Sequence, residues 1–219
     1  MRNLKLNVSE INYMTDYKDI LNEALKVLRD GGVILYPTDT VWGVGCDATN
    51  PLAVSKVYEI KKRSDSKALV LLASDFDMVC RYVKEIPDIA VQLVEVNDKP
   101  MTLIYPGAIC GEAPSEGETP VASKYCLAYN VVAEDGTVGF RIPDMDFCRD
   151  LIHKLGRPLV STSANVSGES SPSCFTEIAD EIRSKMDYIV PQYLESESTG
   201  APSQIIKVGL DGEVKIIRK

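Results

Sequence analysis

Residues Val33 to Asp47 read VILYPTDTVWGVGCD. The first five form an apolar run of strand length that stops at a proline. Two threonines, two aspartates and two glycines follow. In open α/β sheets, ligands sit beyond the ends of strands. A buried strand that runs into a Thr/Asp/Gly loop is therefore a candidate binding loop. The same residues also suit a tight loop whose Thr and Asp side chains satisfy their own backbone. Local sequence supports the two readings equally.

The same strand-then-loop logic extends in both directions. Upstream, Ile20, Leu21, Ala24, Leu25 and Leu28 share one face of a helix expected over Tyr17 to Arg29. Asp16 is its expected cap and Gly31 its stop. Downstream, Asn50-Pro51 opens a second helix that runs to about Lys62. ALVLLA, from Ala68 to Ala73, is a second buried strand, with Ser74 as the cap of the helix after it. A further helix is expected over Asp88 to Val96, then a strand at Met101 to Tyr105. Pro106 to Ser123 is rich in Gly, Pro and Glu and reads as irregular. GTVGFRIP, Gly136 to Pro143, is a strand after an Asp-Gly turn. Asp144 is the expected cap of a helix that ends at Gly156, and Pro158 to Ser163 is the next strand. A helix near Thr176 to Met186 and two short strands, QIIKV and EVKII, complete the chain. The alternation predicts one α/β domain over residues 1–219, a twisted, mainly β sheet with helices packed on it.

Composition narrows the function. The chain has 219 residues, 45% of them hydrophobic and 26% charged, as in an ordinary globular protein. It has no apolar run of the roughly 18 residues that a membrane span needs. Its start, MRNLKLNVSEINY, lacks the apolar core of a secretory signal. These features point to a cytoplasmic protein. Six scattered cysteines without a C-x-x-C pair argue against a zinc site or a disulfide framework. They are expected to be reduced and mostly buried. The single histidine, His153, reads as an ordinary helix residue, so a histidine dyad is excluded. A net charge of −8 disfavours a chain whose main task is to hold nucleic acid.

Three further motifs carry candidate chemistry. In KKRSDSK, Lys61, Arg63 and Lys67 can converge on a phosphate chain, or simply form a solvated basic helix end. In TVGFRIP, Arg141 stands among apolar neighbours and needs an anionic partner, either a ligand or a core carboxylate. In LVSTSANVSG, Leu159 to Gly168, residues Ser161, Ser163 and Asn165 alternate. An extended chain places all three on one face.

Together, GGVILYPTDTVWGVGCD, KKRSDSK, VGFRIP and PLVSTSANVSG resemble the YrdC-like family, the L-threonylcarbamoyladenylate synthases. The resemblance covers about Gly31 to Pro172 and resumes at APSQII. Its hallmark is a K-x-R pair, Lys61/Arg63, with a later S-x-N, Ser163/Asn165. It implies a concave, positively lined cavity in one α/β domain, with no second C-terminal domain. It also implies synthesis of threonylcarbamoyl-AMP and pyrophosphate from L-threonine, bicarbonate and ATP, for modification of adenosine 37 in tRNA. Carried over by position, Thr40, Arg141 and Ser203 face threonine. Lys61, Arg63, Lys67, Thr137, Ser161, Ser163, Asn165, Ser171 and Arg218 face ATP. Of these, Lys61 and Arg63 act in catalysis. Mg²⁺ comes with the ATP and has no dedicated protein site. Downstream threonylcarbamoyl-transfer proteins are the implied partners, together with a weak contact to double-stranded parts of tRNA. Two other readings stay open: a non-catalytic nucleotide- or RNA-binding paralogue, and a carbamoyl-adenylating enzyme with another acceptor. The chain departs from the family at NDKPMT, where only Pro100 and Thr102 match the usual W-P-G-P-L-T. Leu72 stands where some members have a histidine, and Ser64 where a proline is common. The acidic GEAPSEGE lengthens the stretch between Thr102 and Arg141.

Overall fold

The structure is a computed structural model and describes residues 8–62 and 69–219. Its backbone forms one mixed sheet of nine strands. In chain order these are β1 (Ile34–Tyr36), β2 (Gly43–Gly45), β3 (Val70–Leu72), β4 (Met101–Tyr105), β5 (Val138–Arg141), β6 (Leu159–Ser163), β7 (Tyr188–Ile189), β8 (Gln204–Val208) and β9 (Val214–Arg218). Across the sheet they run β7-β1-β2-β6-β3-β5-β4-β8-β9. The pairs β1/β7, β3/β5 and β4/β8 are parallel and the rest antiparallel. Among the described residues six α-helices accompany the sheet: α1 (Val8–Arg29), α2 (Pro51–Lys61), α3 (Phe76–Cys80), α4 (Asp88–Val96), α5 (Asp146–Leu155) and α6 (Asp180–Arg183). None among the described residues is long and apolar enough to cross a membrane.

Helix α1 extends well before the expected start, so Asp16 is an interior position of the helix, and its carboxylate accepts from the Tyr193 hydroxyl. The five expected apolar residues are all buried, and α1 packs along α5, with Tyr17 edge-on to Phe147. Asn50 caps α2 as expected, accepting from Leu52 N at 3.1 Å and Ala53 N at 3.2 Å. Two other caps differ. Asp75, not Ser74, accepts from Met78 N at 2.7 Å, because the serine hydroxyl donates to the neighbouring carboxylate instead. At α5 the cap position is Met145, and Asp144 is held by the Arg149 guanidinium at 2.8 Å. The helix expected near Thr176 to Met186 is broken. A single 3₁₀ turn, Phe175–Glu177, precedes the four-residue α6. The chain extends between them at Ile178 and Ala179, which lets Ile178 and Ile182 both enter the core.

Two strands escape the sequence reading, and both come from residues that look like loop. β7 has two residues, and its neighbours Asp187 and Val190 donate to Val33 O and Leu35 O. β2 is the GVG of the opening stretch. Its glycines make room for Tyr36, whose ring lies against β2 and whose hydroxyl donates to Val160 O at 3.2 Å. A Cβ at Gly45 would stand 2.3 Å from Val160 O and 2.7 Å from the Tyr36 ring. Both obstacles are in the buried sheet, so neither yields cheaply. Gly45→Ala is expected to lower the melting temperature by about 3–10 °C. A calorimetric scan checks this, and an unchanged midpoint would mean that the strand relaxes freely.

All six cysteines are free, but only Cys46 and Cys148 are buried. The expectation of mostly buried thiols fails because Cys110 and Cys126 lie in the irregular segment after β4, and Cys80 at the exposed end of α3.

Candidate active site

The structure sorts the described candidate residues into two groups, with Tyr36 between them. The first group joins the end of α2 to the end of β6. Lys61 is 2% exposed, and its Nζ donates to Ser163 O at 2.5 Å and Asn165 Oδ1 at 3.2 Å. The Ser163 hydroxyl donates to the same Asn165 oxygen at 2.5 Å. The Asn165 amide nitrogen donates to Glu169 O at 2.6 Å, and Ser167 N to Lys61 O at 3.0 Å. The alternation expected along β6 is present: Ser161, Ser163 and Asn165 are partly exposed, while Thr162 and Ala164 are buried. Ser163 and Asn165 are thus a bracket that fixes the lysine ammonium as well as a polar face. Directly after Lys61 the chain turns sharply. Lys62 has φ +49°, the only left-handed non-glycine among the described residues. Such a conformation is costly for a side chain with a Cβ and is common at functional turns. Arg63 and Lys67 lie outside the described residues.

The second group gathers at the end of β5. Arg141 forms a buried ion pair with Asp39 of the PTDT loop, and its Nη2 lies 3.4 Å from Thr38 Oγ1. Thr38 Oγ1 accepts from Thr40 N at 3.1 Å, lies 2.9 Å from Thr40 Oγ1 and donates to Val41 O at 2.7 Å. The threonines thus satisfy their own loop, as the tight-loop reading expects, while the aspartate reaches across to Arg141 instead of its own backbone. Ser203 joins through a 2.8 Å bond between its hydroxyl and that of Thr102. Arg218 donates from Nε and Nη2 to Ser203 O at 2.9 and 2.8 Å. Burial, then the charge of nearby Arg141, holds the Arg218 pKa below its ordinary value. Arg218, which the resemblance sets toward ATP, thus bonds Ser203, which the resemblance sets toward threonine.

Tyr36 connects the groups. It is fully buried, its hydroxyl donates to Val160 O beside Ser161, and its phenol feels the charge of Arg141. Burial above all pushes its pKa far up, so the ring stays neutral. Tyr36, Asp39 and Thr38 were all within the quoted stretch, but no local signal distinguishes them from loop and core residues.

Other candidates lie apart. Ser171 is exposed in the loop after β6. Thr137 precedes β5 and donates its hydroxyl to Asp135 Oδ1 at 2.6 Å. Asp135 Oδ2 also accepts from Lys207 Nζ at 2.6 Å. The Lys207 bond first, then the Thr137 hydroxyl, hold the Asp135 pKa at about 2, below its ordinary 3.8. The folded value lies below the unfolded one. This contribution is therefore whole above about pH 4 and disappears as the pH falls through about 2. Asp135→Asn is expected to flatten that part of the profile. Melting temperatures of variant and wild type should differ at neutral pH and converge in acid; a constant difference would mean that the carboxylate charge contributes nothing.

The acidic GEAPSEGE segment sits elsewhere. Its flanks bond to Ala48, Thr49 and Tyr82, which belong to neither group. A cavity of about 500 Å³ opens among α3, α4, β4, β5 and the start of α5. Leu103, Tyr105 and Phe140 line it; Thr102, Gly139 and Arg141 alternate with them and face the other way. Asp39 borders this cavity and also pairs with Arg141.

Comparison with known proteins identifies the family and the fold. The family model Sua5_yciO_yrdC, described as telomere recombination, matches residues 26–219. A curated threonylcarbamoyl-AMP synthase of Vibrio campbellii is 31% identical over 185 residues, 84% of this chain and 91% of that protein. The structure of P. abyssi Sua5 complexed with L-threonine is similar with a TM-score of 0.68 at 25% identity. That match covers 88% of this chain and 51% of the other, so the chain spans about half the length of that relative. E. coli YciO shares the fold with a TM-score of 0.69 at 23% identity, covering 92% of this chain and 89% of the other.

Proposed function

Because the chain belongs to the Sua5/YciO/YrdC family, we propose that it is a threonylcarbamoyl-AMP synthase. It takes L-threonine, bicarbonate and MgATP and releases threonylcarbamoyl-AMP and pyrophosphate for tRNA modification. The observation that carries this reading is the Lys61 bracket. The helix end that bears K-x-R and the strand end that bears S-x-N meet through one buried ammonium. Neither motif alone points to phosphate; their contact fixes a positive charge where the two elements converge.

The chemistry follows from the charges. N-carboxythreonine is an anion that must attack the α-phosphate of another anion. A carboxylate is already a competent nucleophile, so no histidine base is needed. The main obstacle is repulsion, and fixed cations reduce it without reorganising during the reaction. In this scheme Lys61, with Arg63 and Lys67, faces the triphosphate. Ser161, Ser163, Asn165, Thr137 and Ser171 belong to the nucleotide side. Thr40, Arg141 and Ser203 hold threonine, the Arg141 fork on its carboxylate. Magnesium enters with ATP as part of that substrate. The product is consumed by threonylcarbamoyl-transfer proteins.

Pyrophosphate release from ATP and bicarbonate tests the proposal. It should depend on L-threonine. Release that is equal without threonine would favour a carbamoyl-adenylating enzyme with another acceptor, and no release at all would favour a non-catalytic nucleotide-binding paralogue.

A further inference from the structure

Asp39 is the member of the threonine-side group whose bonding is incomplete. It is 4% exposed, and one carboxylate oxygen pairs with Arg141. The other, Oδ2, is buried and has no hydrogen-bond partner. A carboxylate oxygen sealed from water without a donor is unfavourable, and in a folded protein it calls for an explanation. The donors around it are already committed. The Thr38 hydroxyl donates to Val41 O, and Thr40 N to Thr38 Oγ1. Thr199 gives its N–H and its hydroxyl to the Asp39 backbone carbonyl, at 3.0 and 3.1 Å. The loop and its neighbours hold the carboxylate in place and leave one oxygen for something else.

We propose that Asp39 Oδ2 accepts the amine of a bound α-amino acid, so that Asp39 and Arg141 form a clamp for a zwitterion. The guanidinium takes the ligand carboxylate while the neighbouring carboxylate takes the ligand amine. An ion pair is electrically complementary to a zwitterion laid against it, and poorly matched to an acid that lacks the amine. An N–H remains on that nitrogen after carboxylation, so the contact survives formation of the carbamate. Asp39 is then a specificity-determining residue. The clamp is closed to solvent, since Arg141 is also only 4% exposed. An amino acid reaches it after neighbouring chain moves, and Ser198 and Thr199, which bond the Thr40 and Asp39 carbonyls, belong to that neighbouring chain.

The inference rests on the proposed threonine site, and its test separates the two. Calorimetric titration compares L-threonine with 3-hydroxybutyrate, which keeps the carboxylate and the β-hydroxyl but lacks the amine. Wild type should bind threonine about 10- to 100-fold more tightly, the worth of a charge-assisted hydrogen bond. In Asp39→Asn, Arg141 claims the one remaining oxygen, and the preference should collapse toward unity. If Asp39 only positions Arg141, both ligands weaken together and the ratio persists, which overturns the proposal. Should the variant fail to fold, wild type alone decides, because equal affinities for the two ligands overturn it as well. Wild type that binds neither ligand also overturns it; if pyrophosphate release then ignores threonine too, the threonine site itself has failed.

Discussion

Lys61→Met is expected to lower adenylate formation by about 100-fold or more, the usual effect of removing one fixed donor from a developing charge. Methionine keeps the length and apolar stem of the side chain, so the helix end can still pack. What disappears is the ammonium held between Ser163 O and Asn165 Oδ1. Those acceptors lose a donor in a place that is 2% exposed, which should cost about 1–3 kcal/mol of stability. The two effects are separable. Binding of ATP, read by titration at a temperature where the variant is folded, should weaken far more than threonine binding. Loss of stability with normal turnover would reduce Lys61 to a structural bracket.

Changes at Arg141 should divide in the opposite way. Arg141→Lys keeps a cation near Asp39 but loses the planar fork that matches a carboxylate. The threonine requirement should rise by about 10- to 100-fold while the ATP requirement stays within a few-fold. Arg141→Ala goes further. It leaves a buried aspartate without its counter-charge, which typically costs about 3–5 kcal/mol. That variant should melt far below wild type, whereas the lysine variant should not. An equal rise in both substrate requirements for Arg141→Lys would count against its place on the threonine side.

The elements easiest to read from sequence were those whose physics is local. α2 announces itself through Asn50-Pro51 and α4 through its apolar pattern, and both occupy the expected residues. β6 shows its two faces through period-two alternation. What stayed hidden depends on distant partners. β2 is a strand because Tyr36 and β6 flank it, not because GVG favours extension. Asp144 looks like a cap until Arg149, five residues on, claims it. For Arg141 the sequence posed a choice between a ligand and a core carboxylate, and the carboxylate came from 102 residues away. The site divides along the same line. Its motifs were legible one by one, but their grouping came only from the family resemblance, because hydrogen bonds across the sheet decide it. Arg218 shows this most clearly, since its neighbours Ser203 and Arg141 come from two other strands or their flanks.

The measurement that bears most directly on the whole account is the identity of the product. The chain is incubated with L-threonine, ¹³C-bicarbonate and MgATP, and the adenylate formed is weighed by mass spectrometry. The account predicts one adenylate that contains threonine and AMP joined through a single ¹³C carbonyl, formed together with pyrophosphate. An adenylate without threonine, or one that carries no label, would contradict it.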